Sequence, residues 1–291
     1  MQCNLCPHEC GVDRNFTLGF CQATNTMKIA RASLHHWEEP CISGKNGSGT
    51  IFFSCCTLKC CFCQNYKISC ENFGEEISIE KLSDIMLSLE QKGAHNINLV
   101  TATHYVDKVI KALDLCRHKL NIPIVFNCGG YEKVDTIKML DGYIDMFLPD
   151  FKYFDDKLAI KYSNAPNYFM TATNAIKQMF KQTGKYKIKN NLMTSGVIIR
   201  HLVLPTHRKD SFAVLDWIAK NFNNDDVLLS LMSQYTPYRE NLDFPELNRK
   251  ISTFEYNKVV DHALTLGING FMQERSSAKE EYTPNFDLSG I

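Results

Sequence analysis

No stretch of the 291 residues is apolar for long enough to cross a bilayer. The first twenty, MQCNLCPHECGVDRNFTLGF, carry cysteines and charges where a secretory leader needs an apolar run. A cytoplasmic protein is the expectation. An excess of one charge is also lacking: 32 Lys and Arg balance 32 Asp and Glu, and no basic stripe would draw the chain to nucleic acid or to an anionic membrane. Its substrate must then be recognised locally. Internal repeats, low-complexity tracts and long linkers are missing too, which speaks for one large domain with a sizeable core.

Cysteine is what the sequence has in plenty. Eleven of its thirteen cysteines fall between Cys3 and Cys70. In a reducing compartment such crowding is no disulfide framework, and metal or redox chemistry is the better reading.

From Thr50 onward, β-branched or aromatic runs alternate with helix-length amphipathic segments, the pattern of successive βα units on a parallel sheet. The expected strands are 50–54, 96–101, 123–128, 144–148, 197–204 and 227–232. Between the first two, Ile79, Leu82, Ile85, Met86 and Leu89 recur at helical spacing before Gly93. Ser252 and Glu255 spell a capping box that opens a helix running to about Gly267. Six units fall short of a closed eightfold barrel, so the fold expected is α/β, a partial (β/α)6 barrel over residues 50–291. Residues 1–49 read as an irregular Cys-rich extension with a second candidate metal site. Working residues of parallel βα folds collect at the carboxyl ends of strands, which gives a test for every motif.

Directly after the first of these strands, Cys56, Cys60 and Cys63 form the only C-x-x-x-C-x-x-C triplet in the chain. A loop of that length can fold three thiolates around one [4Fe-4S] cubane and leave its fourth iron open. An open iron can chelate the amino and carboxylate groups of S-adenosylmethionine, and an electron from the reduced cluster then releases a 5'-deoxyadenosyl radical. Structural zinc is the competing occupant, although zinc sites usually come as two C-x-x-C halves. Cys3, Cys6, Cys10 and Cys21 make a second set, C-x-x-C-x-x-x-C with a distant fourth thiolate, able to saturate zinc or a second iron-sulfur cluster. His8 is an additional possible ligand, although a solvent-facing histidine is the commoner case in a cysteine loop. The segment LHHWEEPCISG, residues 34–44, has no physical role legible in it.

The triplet, with Phe62 before its last cysteine, resembles the radical S-adenosylmethionine superfamily. TIFFSCCTLKCCFCQNYKIS, VTATHY, VFNCGGYE, LPDFKY and IRHLVLP more specifically resemble pyruvate formate-lyase activating enzyme-like proteins, from CNLCPHECGVDR to YTPNFDLSG. The resemblance implies that Phe62, Cys63 and Gln64 border the adenine and the chelated methionine. It implies that Lys152 of the Asp150-x-Lys152 pair meets the methionine carboxylate, and that Arg200 and Gln234 contact the cofactor. Thr101, Ala102, Thr103 and His104 stand where many relatives carry Gly-Gly-Glu. A Thr101 hydroxyl or a carbonyl there can still take the methionine amino group, while His104 either reaches substrate or caps the next helix. Asn127, Cys128, Gly129 and Gly130 replace an Asp-Thr-Asn-Gly cation site, and Cys55 stands where relatives usually have glycine.

The activity implied is that of an oxidoreductase that abstracts hydrogen from a glycine of a glycyl-radical enzyme, reduced by flavodoxin or ferredoxin. Radical modification of a small molecule or another protein is the alternative. A non-catalytic zinc-binding protein is a third reading, against which the βα pattern and zero net charge speak.

Overall fold

The structure, a computed structural model, describes residues 2–237, 243–273 and 284–291, so Tyr282 and Thr283 of the carboxyl-terminal motif lie outside it. Its strands are β1 Met27–His35, β2 Ser48–Phe53, β3 Glu75–Ile77, β4 Ile97–Val100, β5 Ile124–Cys128, β6 Met146–Pro149, β7 Lys187–Lys189, β8 Leu192–Leu202, β9 Leu228–Met232 and β10 Gly270–Met272. The α-helices are α1 Pro40–Ser43, α2 Tyr66–Ser69, α3 Ile79–Gln91, α4 Val106–Cys116, α5 Val134–Met139, α6 Asp156–Ser163, α7 Tyr168–Thr183, α8 Arg208–Asn221 and α9 Thr253–Thr265.

The sheet runs β10-β9-β8-β6-β5-β4-β2-β1-β3, with β7 beside β8, and does not close. From β2 to β10 all pairings along this path are parallel. β2, β4, β5 and β6 are buried at every residue, as a parallel sheet covered on both faces requires. All six expected strands form, and β10 adds a seventh parallel one. The fold class is thus the expected open α/β barrel.

The helices follow their local chemistry. Ser78 caps α3 by accepting the Lys81 N–H, Leu82, Ile85, Met86 and Leu89 turn inward, and Gly93 ends the segment at φ +89°. The Ser252–Glu255 capping box opens α9 as read. Glu255 is held further by Arg249 at 2.7 Å and by the Thr206 N–H at 2.8 Å.

The amino-terminal stretch departs from the expectation. Residues 27–35 are no irregular loop but β1, antiparallel to β2, because Met27, Ile29, Ala30 and Ala32 find burial against it. The position 49/50 lies within β2. The carboxyl terminus is tied to the same strand: Ala32 donates to the Ser289 carbonyl and Leu288 to the Ala30 carbonyl. Among the described residues no helix is long and apolar enough to cross a membrane.

Candidate active site at the carboxyl ends of the strands

β2 delivers its chain into the cysteine loop. Cys55, at φ +73°, and Lys59, at φ +54°, take the left-handed backbone that lets the loop turn, a conformation that favours glycine. The Cys61 N–H bonds the Tyr162 carbonyl at 2.8 Å and the Cys63 N–H bonds the Cys60 carbonyl at 3.1 Å. All three sulfurs accept hydrogen bonds: Cys56 from the Leu58 N–H at 3.4 Å, Cys60 from the Ser163 hydroxyl at 2.9 Å, Cys63 from the Ser69 hydroxyl at 3.3 Å. None is in a disulfide.

Burial raises all three thiol pKa values, Cys60 to about 11, and Cys60 and Cys56 add their own repulsion at Cys63. Three sulfurs, Cys60 buried and Cys56 and Cys63 partly so, that repel one another yet each receive a donor fit a group that brings positive charge to thiolates, as iron does. Among the described residues no three Cys, His, Asp or Glu stand together as a single-ion site.

Beside this loop lies a buried ion network. Asp150, just past β6, accepts from Lys152 Nζ at 2.5 Å and from Arg200 Nε at 2.9 Å. Burial alone would raise its pKa, but the two cations hold the carboxylate below its ordinary value. Burial likewise disfavours a charged Lys152, yet Asp150 and the nearby Cys60 keep its pKa raised. Tyr168 fastens the frame: its hydroxyl lies 3.0 Å from the Gly129 carbonyl and 2.9 Å from the Asp150 carbonyl, and it accepts the Lys152 N–H at 2.9 Å. Gly130 is needed for this approach, since at φ +80° any Cβ would meet the Asp150 carbonyl oxygen at 1.9 Å.

A cavity of about 460 Å³ runs through the barrel. Gln64, Asn127, Arg200 and Gln234 line it, while Cys56, Cys60, Cys63, Phe62, Thr101, Asp150 and Lys152 lie off its wall. Gln64 Nε2 donates to the Gln234 carbonyl at 3.1 Å, and Gln273 Nε2 to Gln234 Oε1 at 3.2 Å. Phe62 packs edge-on to Tyr235 at 6.0 Å. Thr101 sits at φ +62° where β4 ends. His104 neither caps a helix nor faces the cavity: its Nε2 bonds the Ser54 carbonyl at 2.8 Å, and burial lowers its pKa to about 4.

Cys3, Cys6 and Cys10 lie on a small hairpin closed by the Cys3 N–H to the Val12 carbonyl at 2.9 Å, and Cys21 lies beyond it. Burial pushes Cys6 up to about 12, with Cys21, Cys10 and Cys3 adding repulsion. His8 is not solvent-facing. It is half-buried, stacked on Phe20 at 3.8 Å, and its Nε2 bonds the Thr57 carbonyl at 2.8 Å, joining this hairpin to the Cys56–Cys63 loop.

Two buried acids escaped the sequence reading as site residues. Glu38 reaches into the barrel, accepting from Arg200 Nη1 at 3.3 Å and from Asn98 Nδ2 at 3.2 Å, and burial pushes its pKa up to about 7 against the pull of Arg200. Glu132 accepts from Thr103 at 3.0 Å, is likewise pushed up to about 7 by burial, and leaves its Oε2 without a partner. The doublet Glu38-Glu39 before Pro40 was the one visible signal for the first.

The sequence profile of the Radical SAM superfamily matches residues 50–214. An uncharacterized protein of Methanocaldococcus jannaschii is 30% identical over 273 residues, which is 90% of this chain and 74% of that protein. A radical SAM methyltransferase from Sphaerobacter thermophilus shares the fold with a TM-score of 0.51 at 12% identity, over 78% of this chain and 66% of its own. Streptococcus suis SuiB bound to S-adenosylmethionine matches at 14% identity and a TM-score of 0.46, over 75% of this chain. This chain spans 48% of that protein's length.

Proposed function

The chain belongs to the Radical SAM superfamily, and from that premise we propose that Cys56, Cys60 and Cys63 ligate the family's [4Fe-4S] cluster at the mouth of the barrel. S-adenosylmethionine then lies between that loop and the strand ends. When bound and reduced, the cluster supplies the one electron that splits S-adenosylmethionine into methionine and a 5'-deoxyadenosyl radical, which takes a hydrogen atom from substrate. The chain's own residues bind, orient and exclude water. Lys152 uses one N–H on Asp150 and has two left for the methionine carboxylate. Asp150 fixes Lys152 and Arg200 as one unit, while Phe62, Gln64, Thr101 and Gln234 border the remainder.

The observation that carries this reading is the Asp150-bridged pair of buried cations beside three hydrogen-bonded, disulfide-free thiols at the carboxyl end of a parallel sheet. Anaerobic protein reconstituted with iron and sulfide should form 5'-deoxyadenosine upon reduction. Protein that carries zinc but no iron, or forms none, sinks it.

The finer reading is an activating enzyme in the cytoplasm. It would be reduced by a flavodoxin or ferredoxin and act on a glycyl-radical enzyme, with residues 1–49 a Cys-rich extension whose β1 is built into the sheet of the catalytic domain 50–291. Cys3, Cys6, Cys10 and Cys21 would hold zinc or a second cluster. A glycyl electron-spin-resonance doublet in a co-incubated partner tests the activase role. Radical chemistry on a small molecule stands beside it, because the barrel holds a 460 Å³ cavity with acidic lining, a volume in the range of small-ligand sites.

A further inference from the structure

The LHHWEEPCISG segment enters the barrel from the end opposite the cysteine loop. His35 pairs with Ser48 at the amino end of β2, whereas Gln64 and Gln234 follow the carboxyl ends of β2 and β9. The cavity is lined by residues of both ends, with Glu38, Glu39 and Trp37 on the first and Gln64 and Gln234 on the second.

Among the described residues Arg200 is the one Lys or Arg that lines the cavity, and Asp150, Glu39 and Glu38 all share its field. Asp150 and Glu38 take its N–H groups in ion pairs. Glu39 feels the charge but makes no ion pair with it. It is 8% exposed, its Oε2 is buried with no hydrogen-bond partner, and its side chain does not cap the short α1 that follows. The backbone is fixed even so, because the Glu39 carbonyl accepts the Ile42 N–H at 2.8 Å and the Ser43 N–H at 3.0 Å.

A buried carboxylate oxygen without a partner is costly, and persists where a ligand supplies what the protein does not. Trp37, Phe52 and Phe271 also line this cavity. A carboxylate and aromatic residues lining one cavity are the chemistry that selects a cation.

We propose that Glu39 anchors a positively charged nitrogen of the substrate, an alkylammonium or alkylguanidinium group, at the inner end of the barrel. This rests on the proposed radical function, since it places that group beneath the cofactor, and it names the class of substrate. The methionine ammonium of S-adenosylmethionine has the same chemistry and is the rival source.

The test is calorimetric titration of anaerobic, cluster-loaded protein holding S-adenosylmethionine with n-butylammonium and n-butylguanidinium, and with n-butanol as the neutral control. At least one cation should bind saturably and n-butanol should not. Glu39→Gln should weaken the cation at least tenfold, and Glu39→Asp should recover part of that loss. Nα-acetyl-lysine methylamide competes with the butyl probe if the cation belongs to a protein partner, and fails to compete if it belongs to a small amine.

Absence of saturable cation binding to the unaltered protein overturns the proposal, and so does equal binding by Glu39→Gln. A fall in S-adenosylmethionine affinity that matches the fall in cation affinity hands Glu39 to the cofactor, which overturns it as well. Formation of 5'-deoxyadenosine is read separately: cation binding without it would sink the radical reading and leave the Glu39 site standing.

Discussion

The two cysteine sets differ in what holds them. Cys56, Cys60 and Cys63 sit on a loop leaving a fully buried strand, clamped by Tyr162, with hydroxyls of α2 and α6 on two of the sulfurs. Cys3, Cys6, Cys10 and Cys21 belong to no strand of the sheet. The hairpin of the first three docks through His8 on Thr57, the Leu5 carbonyl on Thr136, and the Glu9–Lys133 pair. Position on a rigid strand end is what a reactive centre needs, because its groups must hold geometry while charge changes. A loop that packs on the barrel through side chains, with Cys6 and Cys21 buried, and takes no part in the strand ladder suits a metal that mainly holds its own ligands together.

The largest effect expected separates the two sets outright. Cys60→Ala should lose the central iron and sulfide and drop 5'-deoxyadenosine to background, while any metal on the amino-terminal set stays. Cys6→Ala should do the reverse to the metal content and keep the central iron. Metal and sulfide analysis of both variants decides it, and loss of central iron in Cys6→Ala would mean that the two sets form one centre.

Asp150→Ala probes the frame that only the central set possesses. It leaves Lys152 and Arg200 buried without their shared counter-charge, side chains only 17% exposed, at a cost of about 3 to 5 kcal/mol in denaturant unfolding. Replacement by Asn should recover little, since an amide accepts one hydrogen bond but brings no charge. A loss under about 1 kcal/mol would show that the pair is screened like a surface bridge.

The difference also explains what the sequence revealed. Strands β2 to β9 along the parallel run were legible because each is a short apolar run between helical periods, and their ends then pointed to Asp150, Lys152, Arg200 and Gln234. β1 was not, since its burial depends on β2 and on a carboxyl-terminal tail some 250 residues away. Glu38 meets Arg200 across 162 positions, a contact that no local pattern encodes. His8 stacks and bonds only because Phe20 and Thr57 arrive beside it.

Glu38 gives the next effect, and shows that the amino-terminal stretch reaches into the barrel as well as perching on it. Burial raises its pKa from 4.5 to about 7. Between those values the unfolded chain releases a proton that the native state keeps, so its contribution to stability falls as pH rises and levels off above about 7. Unfolding midpoints from pH 4.5 to 8 should therefore show the native protein losing ground to Glu38→Gln by at most about 3 kcal/mol. Parallel curves would place the carboxylate ionised within its Arg200 contact throughout.

The smallest effect tests the seam between the two sets. His8→Ala removes a hydrogen bond and a stacked ring from a half-buried site, which costs about 1 kcal/mol in global unfolding. Local opening should report more than the global number. The Cys3 amide, bonded to Val12 within the hairpin, should exchange faster in the variant, while the Cys61 amide, bonded to Tyr162 of the barrel, should not. Equal acceleration at both would show that the hairpin and the central loop open as one unit, and the contrast between perched and clamped cysteines would then fail.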